Sequence, residues 1–393
     1  MTSRSSSAYR FAIYGLLGGL ALLFAFPLVW MFATSIKPVE QTMESPPTWL
    51  PREHRVLLGG EQVEVNLDAR VAAPSLWLVR DGSAGGEHRL VPAEGFDPAA
   101  FEGWRIAARP EPGWWLVTER FSTKVRERAP RRDVVPPDAV QTRVRPRWEN
   151  YPVALASMGG RSVEAAEGSV EERAFNPETD ATFLDFLGNT LVVCVLGVLG
   201  AVLSNAIIAY GFARLKWRGR DALFALTLAT MMVPFPVLMV PLYGVFKDLG
   251  WVGTLLPLWA PAWFGGAFNI FLMRQVFRTI PEELSEAARI DGASEWRIFW
   301  QIVLPLSRPV LAVVALFHFL HAWNDFLGPL LYLTRKPTFT LALALQNFQS
   351  QQGGVQWHHL MAASMVTVLP VIVLFFFAQK TFIRGIATTG SKS

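Results

Sequence analysis

Apolar residues run almost unbroken over Phe11–Ile36 and again over about Leu187–Ala213, Ala222–Phe246, Leu256–Phe277, Val310–Leu333 and Leu360–Ala378. Each run meets the roughly 18 residues that a helix needs to cross a hydrocarbon core about 30 Å thick. The pattern predicts an all-α polytopic membrane protein with six transmembrane helices. The first run is too long for a cleaved secretion signal, whose apolar core is about 7–15 residues. As a helix it reaches about 39 Å at ~1.5 Å per residue, so an uncleaved anchor is expected. Between the first two runs the period changes. Short alternating or aromatic segments, Arg55–Leu58, Gln62–Leu67, Ser75–Arg80, His88–Val91, Trp104–Ala108 and Trp114–Phe121, are separated by turn residues such as Gly59-Gly60, Asp81-Gly82 and Pro110–Gly113. They predict a β-rich insertion, a small meander over about residues 52–148, followed by Gly159-Gly160 and an acidic, linker-like run Glu164–Glu172.

Charge sharpens the division. Residues 37–185 hold 43 of the 68 acidic and basic residues and net −5, whereas the other 244 positions hold 25 and net +9. That split rules out a nucleic-acid-binding reading of the overall net charge of +4 and makes a soluble enzyme a poor fit. The positive charge belongs to membrane flanks. Arg4 and Arg10, the Arg214–Arg220 loop, Arg274 to Arg308, and Lys380, Arg384 and Lys392 put 14 basic residues on one side, against Lys247, Arg335 and Lys336 opposite. The positive-inside rule then sets a multi-pass membrane protein with both termini cytoplasmic. The resulting division is 1–36, the N-terminus and first helix; 37–185, the extracytoplasmic loop with its insertion; and 186–393, a core of helices 2–6 with a cytoplasmic tail. A lone cysteine, Cys194, excludes an intrachain disulfide and a cysteine-cluster metal site.

The segment between the fourth and fifth runs, residues 279–305, reads as two short helices. Thr279 and Glu282 have capping-box spacing, Pro281 suits a first turn, Leu284, Ala287 and Ala288 fall at i, i+3 and i+4, and Gly292 ends the helix. Trp296, Phe299, Trp300 and Val303 make a second apolar stripe, closed by Pro305. The result is a cytoplasmic elbow whose small Ala287 and Ala288 admit close approach of a partner, with Glu286, Arg289 and Asp291 around the contact. An interfacial amphipathic linker fits the same pattern.

Glu286-Ala287-Ala288, Asp291-Gly292-Ala293, Phe299, Ile302 and Leu304-Pro305 resemble the coupling motif of binding-protein-dependent ABC importer permeases. Ser35-Ile36-Lys37-Pro38, Ala209–Arg214 and Trp323-Asn324-Asp325-Phe326 resemble the carbohydrate permeases of that family, the six-span maltose-type subunit above all. The resemblance covers about 1–50 and 147–393; the insertion departs from the family's usual short loop. It implies a transport subunit that is not itself an enzyme and binds no cofactor, with ATP and Mg on a partner ATPase. The implied partners are a second permease subunit, a dimer of ABC ATPase subunits and an extracytoplasmic sugar-binding protein, and the implied place is the lipid of the bacterial cytoplasmic (inner) membrane. Glu286, Ala287, Ala288, Asp291 and Gly292 would couple the chain to the ATPase, and the tail Gln379–Ser393 resembles one that reaches the ATPase interface. No GxxxxGK[ST] phosphate loop is present, in agreement.

Inside the membrane the densest polar cluster is His318, His321, Asn324 and Asp325, with Trp323 and Phe326 beside it. Buried ionisable groups in a span usually face a cavity, and a helix puts His321, Asn324 and Asp325 on one face. Asn269, His321, Trp323, Asn324 and Asp325 are therefore the candidate substrate path; bonding between spans is the other use of the same groups. Two histidines lack the further ligand that a metal needs, so no metal site is expected. The absence of Lys and Arg from the cores of the last five spans weighs slightly against an anionic substrate. Pro234, Pro236 and Pro241 predict a kink in the third span, and Gly197, Gly200 and Ser204 a face for close helix packing. Two other classes share part of this pattern: a secondary transporter with a His318–Asp325 proton relay, and an anchored extracytoplasmic ligand-binding β-domain.

Overall fold

The computed structural model describes residues 3–44, 47–80, 87–94, 96–120, 130–159, 180–348 and 356–389. The Asp81-Gly82 turn, the Glu164–Glu172 run and the tail beyond Thr389 lie outside them. The chain divides into two compact units, the first holding residues 1–157 and 355–365 among others, the second mainly 174–354 and 366–393.

In the first unit, helix α1 (Ser3–Ser35) carries the first apolar run. Two antiparallel sheets come next, built from β1 (Arg52–Leu58), β2 (Glu61–Arg70), β3 (Ser75–Arg80), β4 (Glu87–Pro92), β5 (Arg105–Ala108), β6 (Trp115–Glu119), β7 (Arg132–Val135) and β8 (Gln141–Val144). The β1–β2 hairpin is local: Leu58 pairs with Glu61 across Gly59 and Gly60, whose φ values of 61° and 87° suit a tight turn of mirror-image type. The remaining order is not the expected meander. The five-stranded sheet runs β7-β6-β2-β1-β8 and the three-stranded one β4-β3-β5, so β6 and β8 return to flank the first hairpin. Alternation specifies which face of a strand is buried and not which strand lies beside it. Val56, Leu58, Val63, Val65, Val117 and Val135 form the core of the larger sheet.

Polar stitches tie the end of α1 to helix α2 (Asn150–Met158). The Asn150 amide donates to the carbonyls of Ser35 (2.8 Å) and Lys37 (2.9 Å). Lys37 is itself buried, its ammonium 4.4 Å from the Trp30 ring, and burial pushes its pKa below the usual lysine value against the opposing charge of Glu44. The Ser35–Pro38 sequence thus sits where the chain leaves α1 and is fixed by that exit.

The second unit is helical. Helix α3 (Phe183–Ala213) begins with a capping box in which Thr182 and Asp185 satisfy each other's backbone N–H groups. Its small-residue face seats other elements: a Cβ at Gly197 would lie 2.6 Å from His318 Nε2, one at Gly200 would lie 2.5 Å from Trp263 Nε1, and Ser204 donates to the Ala262 carbonyl (3.0 Å). Helices α4 (Arg220–Ala229) and α5 (Phe235–Asp248) replace the expected third span. They bend by 100°, a break rather than a kink. Val233 is extended at φ −78°, ψ 115°, as a residue before proline prefers, and Pro234 has no N–H to continue the ladder.

Helix α6 (Ala267–Thr279) comes after a broken stretch through Gly265 and Gly266, and α7 (Glu282–Ile290) opens the elbow. The second arm, Glu295–Leu306, meets α8 (Arg308–Asn324) at 79°. The fifth apolar run does not continue as one helix to Leu333: Asp325 leaves the helical region at φ −68°, ψ 116°, and α9 (Leu327–Tyr332) starts afresh. Helix α10 (Trp357–Thr389) carries the last run. Among the described residues, four helices are long and apolar enough to cross a membrane, and up to six spans result if each bent pair counts as one.

Candidate functional site

The elbow is built on a sequence-encoded stop. Helix α7 ends at Ile290, and Gly292 takes φ +80°, which L side chains rarely adopt, so the chain reverses there without strain. Ser294 then caps the second arm by accepting from the Arg297 N–H. The expected Thr279–Glu282 capping box does not form: the Thr279 hydroxyl donates back to Val276, closing α6, and Pro281 occupies the cap of α7 without a side-chain bond. Thr279 is still the last residue of the preceding helix, which turns its hydroxyl backward.

Residues of α3 hold the elbow in place. The Tyr210 hydroxyl donates to Glu295 Oε2 at 2.5 Å, Arg289 Nε donates to Glu295 Oε1 at 2.7 Å, and Arg214 donates to the Ile280 carbonyl at 2.6 Å. The Glu295 hydrogen bond raises the Arg289 pKa above its already high usual value. Beneath these polar ties, Tyr210, Phe212, Phe277, Ile298, Phe299 and Val303 form one buried cluster, with Ala288 and Ala293 packed against it. Arg274 is buried in α6, donates to the Phe212 carbonyl (3.2 Å) and lies 3.9 Å from the Phe224 ring centre. Arg274, counted in the sequence among the flanking basic residues, is thus a buried arginine of α6 near the loop that begins after Thr279.

The face turned outward carries the sequence motif. Glu286, Ala287, Asp291 and Gly292 are exposed, Ala288 is half-buried, and Ile290 is 86% exposed. The predicted Leu284-Ala287-Ala288 stripe is split: Ser285 and Ala288 turn inward, while Leu284, at 45% exposed, shares the open face with Ala287. An apolar face on a helix so firmly buttressed from behind offers a rigid surface to a partner.

The polar cluster of α8 is dispersed by the end of that helix. His318 and His321 line a cavity of about 300 Å³ together with Asn269, Gly266, Phe268 and Phe317. Phe268 and Phe317 stack at 6.4 Å, and Asn205 of α3 holds the cavity wall by accepting the Gly266 N–H at 2.7 Å. Trp323 is turned away into packing, stacked on Phe319 and donating to the Thr367 carbonyl at 3.2 Å. Asn324 caps its own helix by donating to Leu320 (2.8 Å), and Asp325 accepts the Gly328 N–H (3.0 Å) at the start of α9. The cavity thus joins Asn269 and His321 from the candidate path, adds Phe268, Phe317 and His318, and omits Trp323, Asn324 and Asp325. Phe268 and Phe317 neighbour the polar residues in sequence, which was the available signal. Among the described residues no group of three metal-ligating side chains occurs.

A helical, multi-span membrane protein with a buttressed elbow projecting between two apolar segments has the architecture of a transporter's membrane subunit. A family model described as binding-protein-dependent transport system inner membrane component matches residues 197–388, taking in the cavity, the elbow and the last helix. Curated relatives include the arabinooligosaccharides transport system permease protein AraQ of Halalkalibacterium halodurans, 35% identical over 207 residues that make up 53% of this chain and 74% of the relative. The sn-glycerol-3-phosphate transport system permease protein UgpE of Yersinia pestis is 34% identical over 203 residues, 50% of this chain and 70% of the relative. The chain belongs to the binding-protein-dependent transport system inner membrane component family, the permeases of ABC importers. A bacterial ABC transporter involved in the import of the acidic polysaccharide alginate shares the fold, with TM-score 0.57 at 18% identity over 97% of this chain and 98% of that one.

Proposed function

We propose that this chain is the permease subunit of a sugar or oligosaccharide importer, crossing the membrane six times with both termini in the cytoplasm. As a member of its family it works with a second permease, a pair of ATPase subunits and a binding protein, and ATP is consumed on those separate ATPase subunits, so the chain is not itself an enzyme. The observation that carries the reading is the elbow: an exposed, apolar face on α7, held from behind by Tyr210, Arg214 and Glu295. Glu286, Ala287, Ala288, Asp291 and Gly292 seat in the ATPase, and the rigid tie to α3 passes its movement to the spans. Asn269 and His321 contribute to the substrate path, where the Phe268–Phe317 pair offers flat apolar surface and the polar groups bond hydroxyls. Trp323, Asn324 and Asp325 act on that path by holding the end of α8 and the start of α9. The six-span count takes each bent pair as one span. A sugar substrate is supported by the arabinooligosaccharide relative.

The test is uptake of labelled arabinotriose and maltotriose into proteoliposomes holding the permease pair and ATPase, with binding protein outside. Uptake that requires enclosed ATP and binding protein, and survives collapse of the proton gradient, is the expected result. Uptake driven by a proton gradient without ATPase would replace this reading with a secondary transporter.

A further inference from the structure

The inserted segment of the first unit contains a cavity that the transport reading does not use. It measures about 670 Å³, within the roughly 300–1,000 Å³ of small-molecule sites, and lies between residues 38–44 with Thr48 on one side and one end of the larger sheet on the other. Its wall is firmly built. Gln41 clips the 38–44 stretch to β1 by donating to the Arg52 carbonyl (2.6 Å) and accepting the Arg52 N–H (2.9 Å). Arg120 bridges Glu40 (3.4 Å) and Glu64 (2.7 Å) from across the sheet.

The lining narrows the class of ligand. Four carboxylates, Glu40, Glu44, Glu64 and Asp68, face two guanidinium groups, Arg52 and Arg120, and Arg147 behind the wall is also paired with Glu64, so the cleft presents no concentrated charge of either sign. Two of those carboxylates are already engaged by Arg120, and no cluster of three metal-ligating groups exists among the described residues, so neither a polyamine nor a metal ion finds a concentrated counter-charge. What the wall offers in quantity is neutral hydrogen bonding beside an aromatic plane. Asn66, Thr142 and His54 line it, the last two bonded to each other at 2.9 Å, and the Thr48 hydroxyl is buried with no partner. Trp115 lines the same space, while Arg70, which does not, lies 5.8 Å from its ring centre and backs it. Hydroxyls that both donate and accept, spaced around an apolar C–H face, match such a wall.

We propose that this cleft is a saccharide-binding site in its own right, taking a neutral oligosaccharide on the Trp115 ring and the surrounding amide, hydroxyl and carboxylate groups. It is separate from the membrane cavity at Asn269 and His321 and is filled without binding protein or ATP.

The experiment is isothermal titration of the full chain, assembled with its permease and ATPase partners in lipid nanodiscs without binding protein. The probes are maltotriose and arabinotriose, with trigalacturonate and spermidine as charged comparators. Saturable binding of a neutral trisaccharide is expected, weakened about tenfold by Trp115→Ala and by the milder pair Asn66→Ala with Glu44→Gln, and unchanged by Asn269→Ala with His321→Ala. Thermal unfolding of each variant, together with Trp115→Phe, which keeps a ring in the core, separates lost binding from lost folding. Absence of binding by both neutral trisaccharides, binding untouched by the cleft variants, loss only in the membrane-cavity variants, or tighter binding of either charged probe would each overturn the proposal. ATP-driven uptake measured on the same variants reports on the transport reading separately.

Discussion

Tyr210→Phe is the most informative single change, because it removes one oxygen from the joint between α3 and the elbow. Tyr210 is 6% exposed and its hydroxyl is 2.5 Å from Glu295 Oε2, while the Glu295 and Arg289 side chains are 42% and 37% exposed. A hydrogen bond to a charged group contributes about 1.5–3 kcal/mol where water cannot replace it. Glu295 is reached by water, so a loss of about 1–1.5 kcal/mol is expected, larger than the ~0.2–1 kcal/mol of an exposed ion pair such as Arg289–Glu295. At about 1.4 kcal/mol per factor of ten, the equilibrium constant between held and released elbow falls by about five- to tenfold. Reconstituted importer should then hydrolyse more ATP per sugar taken up, at normal membrane levels of the variant. A double-mutant cycle with Glu295→Gln should return a coupling of about 1 kcal/mol. Wild-type uptake per ATP in Tyr210→Phe, or a cycle that closes to zero, would refute the mechanical role given to this joint.

Gly292→Ala places a side chain at φ +80° and should destabilise the elbow by about 1–2 kcal/mol, while Gly292→Pro, fixed near φ −65°, should abolish uptake without loss of the subunit from the membrane; immunoblotting beside transport distinguishes the two effects. Gly200→Ala forces a methyl against Trp263 and should lower stability by about 1–3 kcal/mol, read as an earlier thermal transition in detergent. Acid should loosen the inserted segment. Burial alone would raise the Glu53 pKa, but the hydrogen bond and charge of Arg55, with Arg145, hold it below the usual carboxylate value. A depressed carboxyl stabilises above its unfolded pKa of about 4.3 and loses that contribution as pH falls through the folded value. Tryptophan fluorescence should accordingly change below about pH 4.3, and Glu53→Gln should flatten that dependence; an identical profile in the variant would show that Glu53 plays no part in the acid response.

The inserted segment shows where reading strands from alternation stops. Leu58, Val63 and Val65 announce their buried face in the sequence, and Gly59-Gly60 announces the turn, so the first hairpin was legible residue by residue. The return of β8 to β1 was not, since Arg52 meeting Val144 is a contact over a long stretch of chain that no local pattern encodes. The cleft at Trp115 depends on that return and was equally hidden.

The membrane half divides along the same line. The apolar run lengths, the glycine that ends α7 and the motif through Glu286–Gly292 are local or compositional properties, set by helix geometry and backbone freedom, and they alone determined the class of protein. Tertiary packing decided what the side chains do. His321, Asn324 and Asp325 share a face only if the helix continues, and α8 ends at Asn324, so His321 enters the cavity while Asp325 caps the next helix. Tyr210 read as one residue of a family signature, and its work became visible only when α3 was packed against Glu295. Periodicity assigns residues to faces, but which face meets which neighbour depends on close packing among elements far apart in the chain, and that is settled only when the whole unit folds.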